Sequence, residues 1–233
     1  MERDVPRDTA VRLRPAQVTD PPEIARVFGN AFDDYRRGFD VDAATLAALW
    51  QESLAARVRS TTVATVDDGT ERGSVVGFVV TVRPGTPERY GGSRTARRRT
   101  GMWWQILGPR AFWRLPSLFV PMGLAYARRS QAKDEIYVSL LAVDPSHQGR
   151  GIGQALLGEV DVQGRAIGAA AVLLHTASTN TRARAAYARA GYELVCTVRA
   201  PWKGPAGIPA YVALRKRLRP DPTPRIDALT RQP

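Results

Sequence analysis

The chain has 233 residues, enough for one domain with a substantial core or one domain plus an excursion, and its 44% hydrophobic content is ordinary for a globular protein. The net charge of +12 suggests nucleic acid until it is located: eleven basic residues against one acid, Glu88, lie between Arg83 and Lys133, so the charge belongs to one segment and a nucleic-acid partner is disfavoured. No apolar run reaches the roughly 18–20 residues that span a bilayer, which excludes an integral membrane protein, and the polar start Met1-Glu2-Arg3-Asp4 lacks the apolar stretch of a secretion signal.

Residues 1–10 read as a flexible leader. Val11 to Ala16 alternates as a first strand, and Asp20-Pro21-Pro22-Glu23 opens a helix, with Asp20 as N-cap and Ile24, Val27, Phe28 and Ala31 on its apolar face. Phe32-Asp33-Asp34-Tyr35 follows. Ala43 to Val58 is a second amphipathic helix carrying Leu46, Leu49, Trp50 and Leu54. Thr61–Val66 and Val75–Val82 are strands joined through Asp67-Asp68-Gly69.

Residues 84–134 then form a basic and aromatic insert. Its first third is rich in Gly, Pro and Arg. From Met102 to Arg129 the tryptophans Trp103, Trp104 and Trp113 and other apolar residues are interrupted at Pro109, Pro116 and Pro121, which predicts two or three short helices. These aromatics must bury against the domain, a second copy in a homodimer, or a ligand.

After the insert comes Ile136 to Val143, a β-branched and apolar run closed by Asp144-Pro145, then Gln148-Gly149-Arg150-Gly151-Ile152-Gly153, then an amphipathic helix to about Gly168. Strand, Gly-rich turn and helix in this order aim backbone N–H groups and a helix N-terminus at one spot, which suits a phosphate or pyrophosphate. A dinucleotide fingerprint would need glycine where Gln154 stands, and the Gly-Lys-Ser/Thr of nucleotide triphosphatases is absent. Ala170–His175 is the next strand, Asn180–Arg189 a helix ended by Gly191, and Tyr192–Arg199 and Ile208–Arg217 are closing strands. Cys196, the single cysteine, excludes an internal disulfide, reads as a buried structural thiol and suits a reducing cytoplasm. The tail 220–233 is Pro-rich and reads as disordered. No His/Cys/Asp cluster has ligand spacing, so no metal is expected.

Gln148-x-x-Gly151-x-Gly153 behind Leu141-Ala142-Val143-Asp144-Pro145 resembles the acetyl-CoA pyrophosphate loop of the GNAT superfamily of N-acyltransferases. Asn180-x-x-Ala183-x-x-x-Tyr187 followed by Gly191-Tyr192 resembles the same family's second signature. The resemblance implies an α/β (α+β) fold: a mixed, mainly antiparallel sheet flanked by helices, with two splayed parallel central strands and the insert between strands three and four, all within one domain over 11–219. The succession of core, broken apolar insert and closing strands resembles the puromycin-acetyltransferase-like branch. The Arg- and Ala-rich composition points to a bacterial source.

The resemblance implies acetyl transfer from acetyl-CoA, used as a cosubstrate, to a primary amine of a small molecule. The phosphates would rest on the N–H groups of Gly149, Arg150, Gly151, Ile152 and Gly153, with Gln148 in the same motif, and the pantetheine arm would pair with the backbone of Leu141, Ala142 and Val143. Asn180 would bond the pantetheine or cap its helix. Tyr187 stands where the family commonly has a general acid, and a phenol with pKa near ~10 is protonated at neutral pH. Glu135 and His175 are the candidate bases. Asp33, Asp34 and Tyr35 fall on the acceptor side, where the aspartates either neutralise a cationic amine or stand as exposed carboxylates beside Arg36 and Arg37. Trp103 and Trp104 would favour an apolar or aromatic acceptor. Two other readings stay open: a non-catalytic acyl-CoA-binding regulatory module, and an N-acetyltransferase of proteins.

Overall fold

The computed structural model describes residues 11–67, 73–84, 101, 103, 105, 108–110, 134–201, 204 and 206–218. Seven strands form one sheet in the order β1-β2-β3-β4-β5-β7-β6, with β1 at Val11–Pro15, β2 at Thr61–Val66, β3 at Ser74–Val82, β4 at Glu135–Val143, β5 at Ala171–Ala177, β6 at Glu193–Arg199 and β7 at Ala210–Arg217. Every neighbouring pair is antiparallel except β4–β5. The expected mixed sheet with two adjacent parallel strands at its centre is present. β7 enters between β5 and β6, which leaves β6 as an edge.

Alternation along the strands sends side chains to two faces, each covered by helices. On one face Val63, Phe78, Val80 and Ala142 pack with α1 (Pro21–Ala31), α2 (Asp33–Phe39) and α3 (Ala43–Ala55). On the other, Val79, Val138, Val172 and Leu174 pack with α4 (Ile152–Ala166) and with Tyr187 of α5 (Thr181–Arg189).

Several local expectations need correction. Asp20 stands at the N-cap position of α1, its carbonyl accepting the Ile24 N–H at 3.0 Å, but its side chain does not cap the helix, because its carboxylate takes Arg14 at 2.6 and 3.1 Å and the Gln17 N–H at 2.7 Å. Asp42 is a working cap, accepting the Thr45 N–H at 2.7 Å. The second long helix stops at Ala55, and Val58–Ser60 tightens into a 3₁₀ turn. Cys196 is half-buried on the edge strand rather than buried.

The insert, the leader and the tail lie mostly outside the described residues, Trp104 among them. Trp103 is described and only 8% exposed, with its ring 5.0 Å from Phe39 and 4.8 Å from Trp50. It completes an aromatic cluster in which Phe28 stacks on Phe32 at 4.3 Å and on Trp50 at 5.1 Å. Among the described residues no helix is long and apolar enough to cross a membrane. Phe28 has no exposed surface, and its ring meets those of Phe32, Tyr35 and Trp50. Phe28→Ala should therefore cost about 3–5 kcal/mol of stability, read by denaturant unfolding.

Candidate active site

The parallel pair is short. Glu135, Ile136, Tyr137 and Val138 face Ala171, Val172, Leu173 and Leu174, and there the ladder stops although both strands continue. On its other side β4 pairs Val138 with Thr81 but Leu140 with Val80, so Ser139 is an extra residue, a bulge. A bulge bends and twists its strand. β5 meanwhile stays paired with β7 as far as Ala177 and Tyr211. One strand turns away while its neighbour is held. Between them opens a cleft of about 1040 Å³.

The loop after β4 forms one end of this cleft. Gly149 and Gly151 adopt φ of +84° and +79°, a region costly for any side chain, and a Cβ built at either would meet nothing within 4 Å. Glycine is required there by the backbone, and the space above it stays open. Gly151 caps α4, whose first N–H groups, on Ile152, Gly153 and Gln154, have no acceptor within the helix. These donors and the positive helix end face the cleft, which fits a phosphate group. Gln148 points its side chain inward, donating to the Val143 carbonyl at 2.9 Å, and so shapes the loop.

Across the cleft stands α5. The Asn180 side chain accepts the Ala183 N–H at 3.1 Å, so it caps its helix. The helix ends with Gly191 N–H on the Ala188 carbonyl and Tyr192 N–H on the Tyr187 carbonyl, the bond pair of a Schellman turn. Gln154, from the first turn of α4, donates to the Ala186 carbonyl at 2.7 Å and ties the two helices together beside Tyr187. Tyr187 lines the cleft yet is only 7% exposed, and burial pushes its phenol up to about 12.

Most predicted site residues converge here. Leu141, Ala142 and Val143 form one wall; Gln148, Gly149, Gly151, Ile152 and Gly153 the loop; Asn180, Tyr187 and His175 the opposite side. Asp33, Asp34 and Tyr35 line the far end. Arg150 is exposed beside the loop and is not among the lining residues. Asp33 and Asp34 pair with Arg36 and Arg37 one turn on, Asp33 exposed and Asp34 half-buried. Asp34 nevertheless lies in the cleft, where burial raises its pKa against the opposing pull of Arg37.

Glu135 is corrected outright as a base. It is 2% exposed, sits at the closed end of the parallel pair, and forms an ion pair with Arg215 of β7 at 2.6 Å. It does not line the cleft. Trp103 packs against Phe39 and Trp50 and is likewise absent from the lining. His175 remains, its Nδ1 3.3 Å from the Tyr137 hydroxyl on the adjoining strand.

Sequence reasoning missed Tyr211 and Ile208, which line the acceptor end. Burial and the Asp34 charge push the Tyr211 phenol up to about 12. It also missed Arg26 and Asn30 of α1, which hold Asp144 at 2.9 and 3.1 Å. Among the described residues no group of three or more His, Cys, Asp or Glu is placed to hold a metal ion.

An open sheet centre, with a Gly-rich loop leading into a helix N-terminus on one wall and a buried phenol on the other, makes up the site. Residues 30–192 match the Acetyltransferase (GNAT) family, and the chain belongs to that family. It is accordingly an acyltransferase enzyme. No curated protein matches. Among solved structures, an agmatine N-acetyltransferase superposes with a TM-score of 0.59 at 19% identity, over 89% of this chain and 99% of that one. A GCN5-related N-acetyltransferase from Kribbella flavida superposes at 0.53 and 18%, over 89% and 98%. The ribosomal-protein-S18-alanine N-acetyltransferase from Escherichia coli superposes at 0.52 and 16%, over 91% and 96%. At these identities the likeness is one of fold. The narrower resemblance to the puromycin-acetyltransferase-like branch rests mainly on residues outside those described.

The buried phenol has a consequence for pH. The unfolded chain ionises tyrosine near ~10, while Tyr187 in the fold holds its proton to about 12. Its contribution is therefore complete below pH ~10 and is lost as pH rises from there to about 12, at about 1.4 kcal/mol per pH unit. Unfolding curves should show the wild type losing more stability across this window than Tyr187→Phe does.

Proposed function

We propose that the protein transfers the acetyl group of acetyl-CoA to the primary amine of a small molecule. The observation that carries this reading is the arrangement of the Gly-rich loop, the stretch of β4 that β5 no longer pairs and the buried Tyr187 around one cleft. When bound, acetyl-CoA supplies an activated thioester; the rest is work for the chain. Loop N–H groups from Gly149 to Gly153 hold the phosphates. The backbone of Leu141–Val143, free of β5, pairs with the amides of the pantetheine arm as an added strand would. An N–H of this stretch polarises the thioester carbonyl. Tyr187, protonated throughout the physiological range, donates its proton to the departing sulfur. His175, on the acceptor side of the sheet with Tyr137 against its Nδ1, is the remaining candidate to take the proton from the amine.

The acceptor end supports a compact amine with an apolar or aromatic body. Phe32, Tyr35, Ile208 and Tyr211 line it, and the charges of Asp33 and Asp34 are largely met by Arg36 and Arg37. Agmatine, named for one structural neighbour, is a small amine; a ribosomal protein, named for another, is not. The aromatic lining favours the first kind of acceptor.

Two substitutions test the roles assigned. Gly151→Asp puts a side chain at a φ of +79° and a negative charge where a phosphate would rest, so calorimetry on the folded variant should find CoA affinity reduced at least a hundredfold. Unchanged affinity removes the phosphate role from the loop. Tyr187→Phe should lower kcat by about 10²–10⁴-fold with CoA affinity unchanged. Wild-type turnover in that variant would return Tyr187 to a packing role.

A further inference from the structure

β4 leaves the sheet before β3 does. The last pair between them is Gly77 with Val143, and the Asp144 N–H still reaches the Val76 carbonyl at 2.8 Å. At Val75 the backbone groups are taken by α1 instead. Glu23 Oε2 accepts the Val75 N–H at 2.8 Å, and Arg26 Nη2 donates to the Val75 carbonyl at 2.7 Å. Helix side chains thus stand in for the missing strand.

The other arm of Arg26 reaches Asp144. Its Nη1 donates to Oδ2 at 2.9 Å, and Asn30 Nδ2 donates to the same oxygen at 3.1 Å. Glu23, Arg26 and Asn30 are spaced three and four apart, one stripe of α1. Asp144 Oδ1 has a separate task, accepting the N–H and hydroxyl of Ser146 at 3.1 and 2.6 Å and so forming the Pro145–His147 turn that leads into Gln148 and Gly149. The carboxylate is buried, with its side chain 8% exposed. Burial opposes its ionisation, but the bonds from Ser146 and Asn30 and the charge of Arg26 hold its pKa below the ordinary carboxylate value. One carboxylate therefore has one oxygen on the phosphate loop and the other on α1. That helix runs directly into Phe32, Asp33 and Asp34 at the acceptor end of the cleft.

We propose that Asp144 is a positioning residue that joins the acceptor-side helix α1 to the phosphate loop, so that the loop's grip on CoA depends on Arg26, a residue outside the cleft lining. The proposal rests on the acetyl-CoA reading above. A loop built on such a brace is set for phosphate before ligand arrives; without the brace, binding must first order the turn.

The test is calorimetry of CoA binding to the full chain, wild type against Arg26→Gln, Asp144→Asn and the double variant. Arg14→Gln serves as a control, because it breaks a more deeply buried ion pair, with Asp20, at the other end of α1 from Asn30. Arg26→Gln and Asp144→Asn should each weaken CoA about tenfold, as loss of a charge-assisted bond does. The double variant should be little worse than Asp144→Asn alone, since both changes remove the same link. Arg26→Lys should recover part of the loss, and Arg14→Gln should lower Tm with CoA affinity unchanged. Wild-type affinity in Arg26→Gln overturns the proposal, and so does an equal loss in Arg14→Gln, which would mean a general effect of stability. If Asp144→Asn does not fold, Arg26→Gln and Arg26→Lys decide alone, since both leave the Ser146 bonds in place. A wild-type protein that does not bind CoA overturns the cofactor reading itself and the brace with it.

Discussion

Four residues of parallel pairing, and no more, are the constraint on which this structure depends. From Val138 and Leu174 onward β4 and β5 separate because Ser139 bulges one strand while β7 keeps the other straight. Backbone groups facing such a gap cannot be left without partners once water is excluded. A ligand bearing amides is one way to satisfy them. The closed end is equally specified, since half-buried Arg215 of β7 reaches across β5 to pair with the buried Glu135 at the base of β4. Pulling Arg215 away strands the buried Glu135 charge, so the closed end resists opening while the other end stays apart.

The two faces of the sheet divide the work. Helices α4 and α5 lie on the face of Val138 and Leu174, and they bring the loop donors and Tyr187 to the gap. Helices α1 to α3 lie on the other, where an aromatic cluster from Phe28 to Trp103 supports the acceptor end. Bonds between elements set the mutual placing: Gln154 to the Ala186 carbonyl on one face, Arg26 and Asn30 to Asp144 on the other. Apolar packing holds the layers together, but only directional bonds can set a loop within the tolerance that a phosphate or a proton transfer demands.

The parts of this arrangement legible in the sequence are those with local causes. The glycines at 149 and 151 sit at positive φ, and a positive φ is written into residue type. Continuous β-branched and apolar runs marked the central strands, and the cap at Asn180 and the turn at Gly191 lie within a few residues of what they bond. What stayed illegible depends on distant partners. Glu135 looked available until Arg215, from the far end of the chain, was placed beside it. Asp20 had every mark of a helix cap, but the competing Arg14 lies on the strand before it. Asp144 gave no sign that α1, more than a hundred residues earlier, would take one of its oxygens. Trp103 could be assigned to burial by its size alone, but not to Phe39 and Trp50.

The central claim is that the gap beyond Val138 and Leu174 receives the pantetheine arm while the loop receives the phosphates. Hydrogen exchange of the backbone amides, measured with and without saturating CoA, tests it most directly. The account predicts added protection confined to two stretches, Leu140–Val143 and Gly149–Gln154, with amides in the fully paired strand Thr61–Val66 unchanged. Bound CoA that leaves both stretches exchanging at their free rates, while protecting another part of the chain, would contradict it.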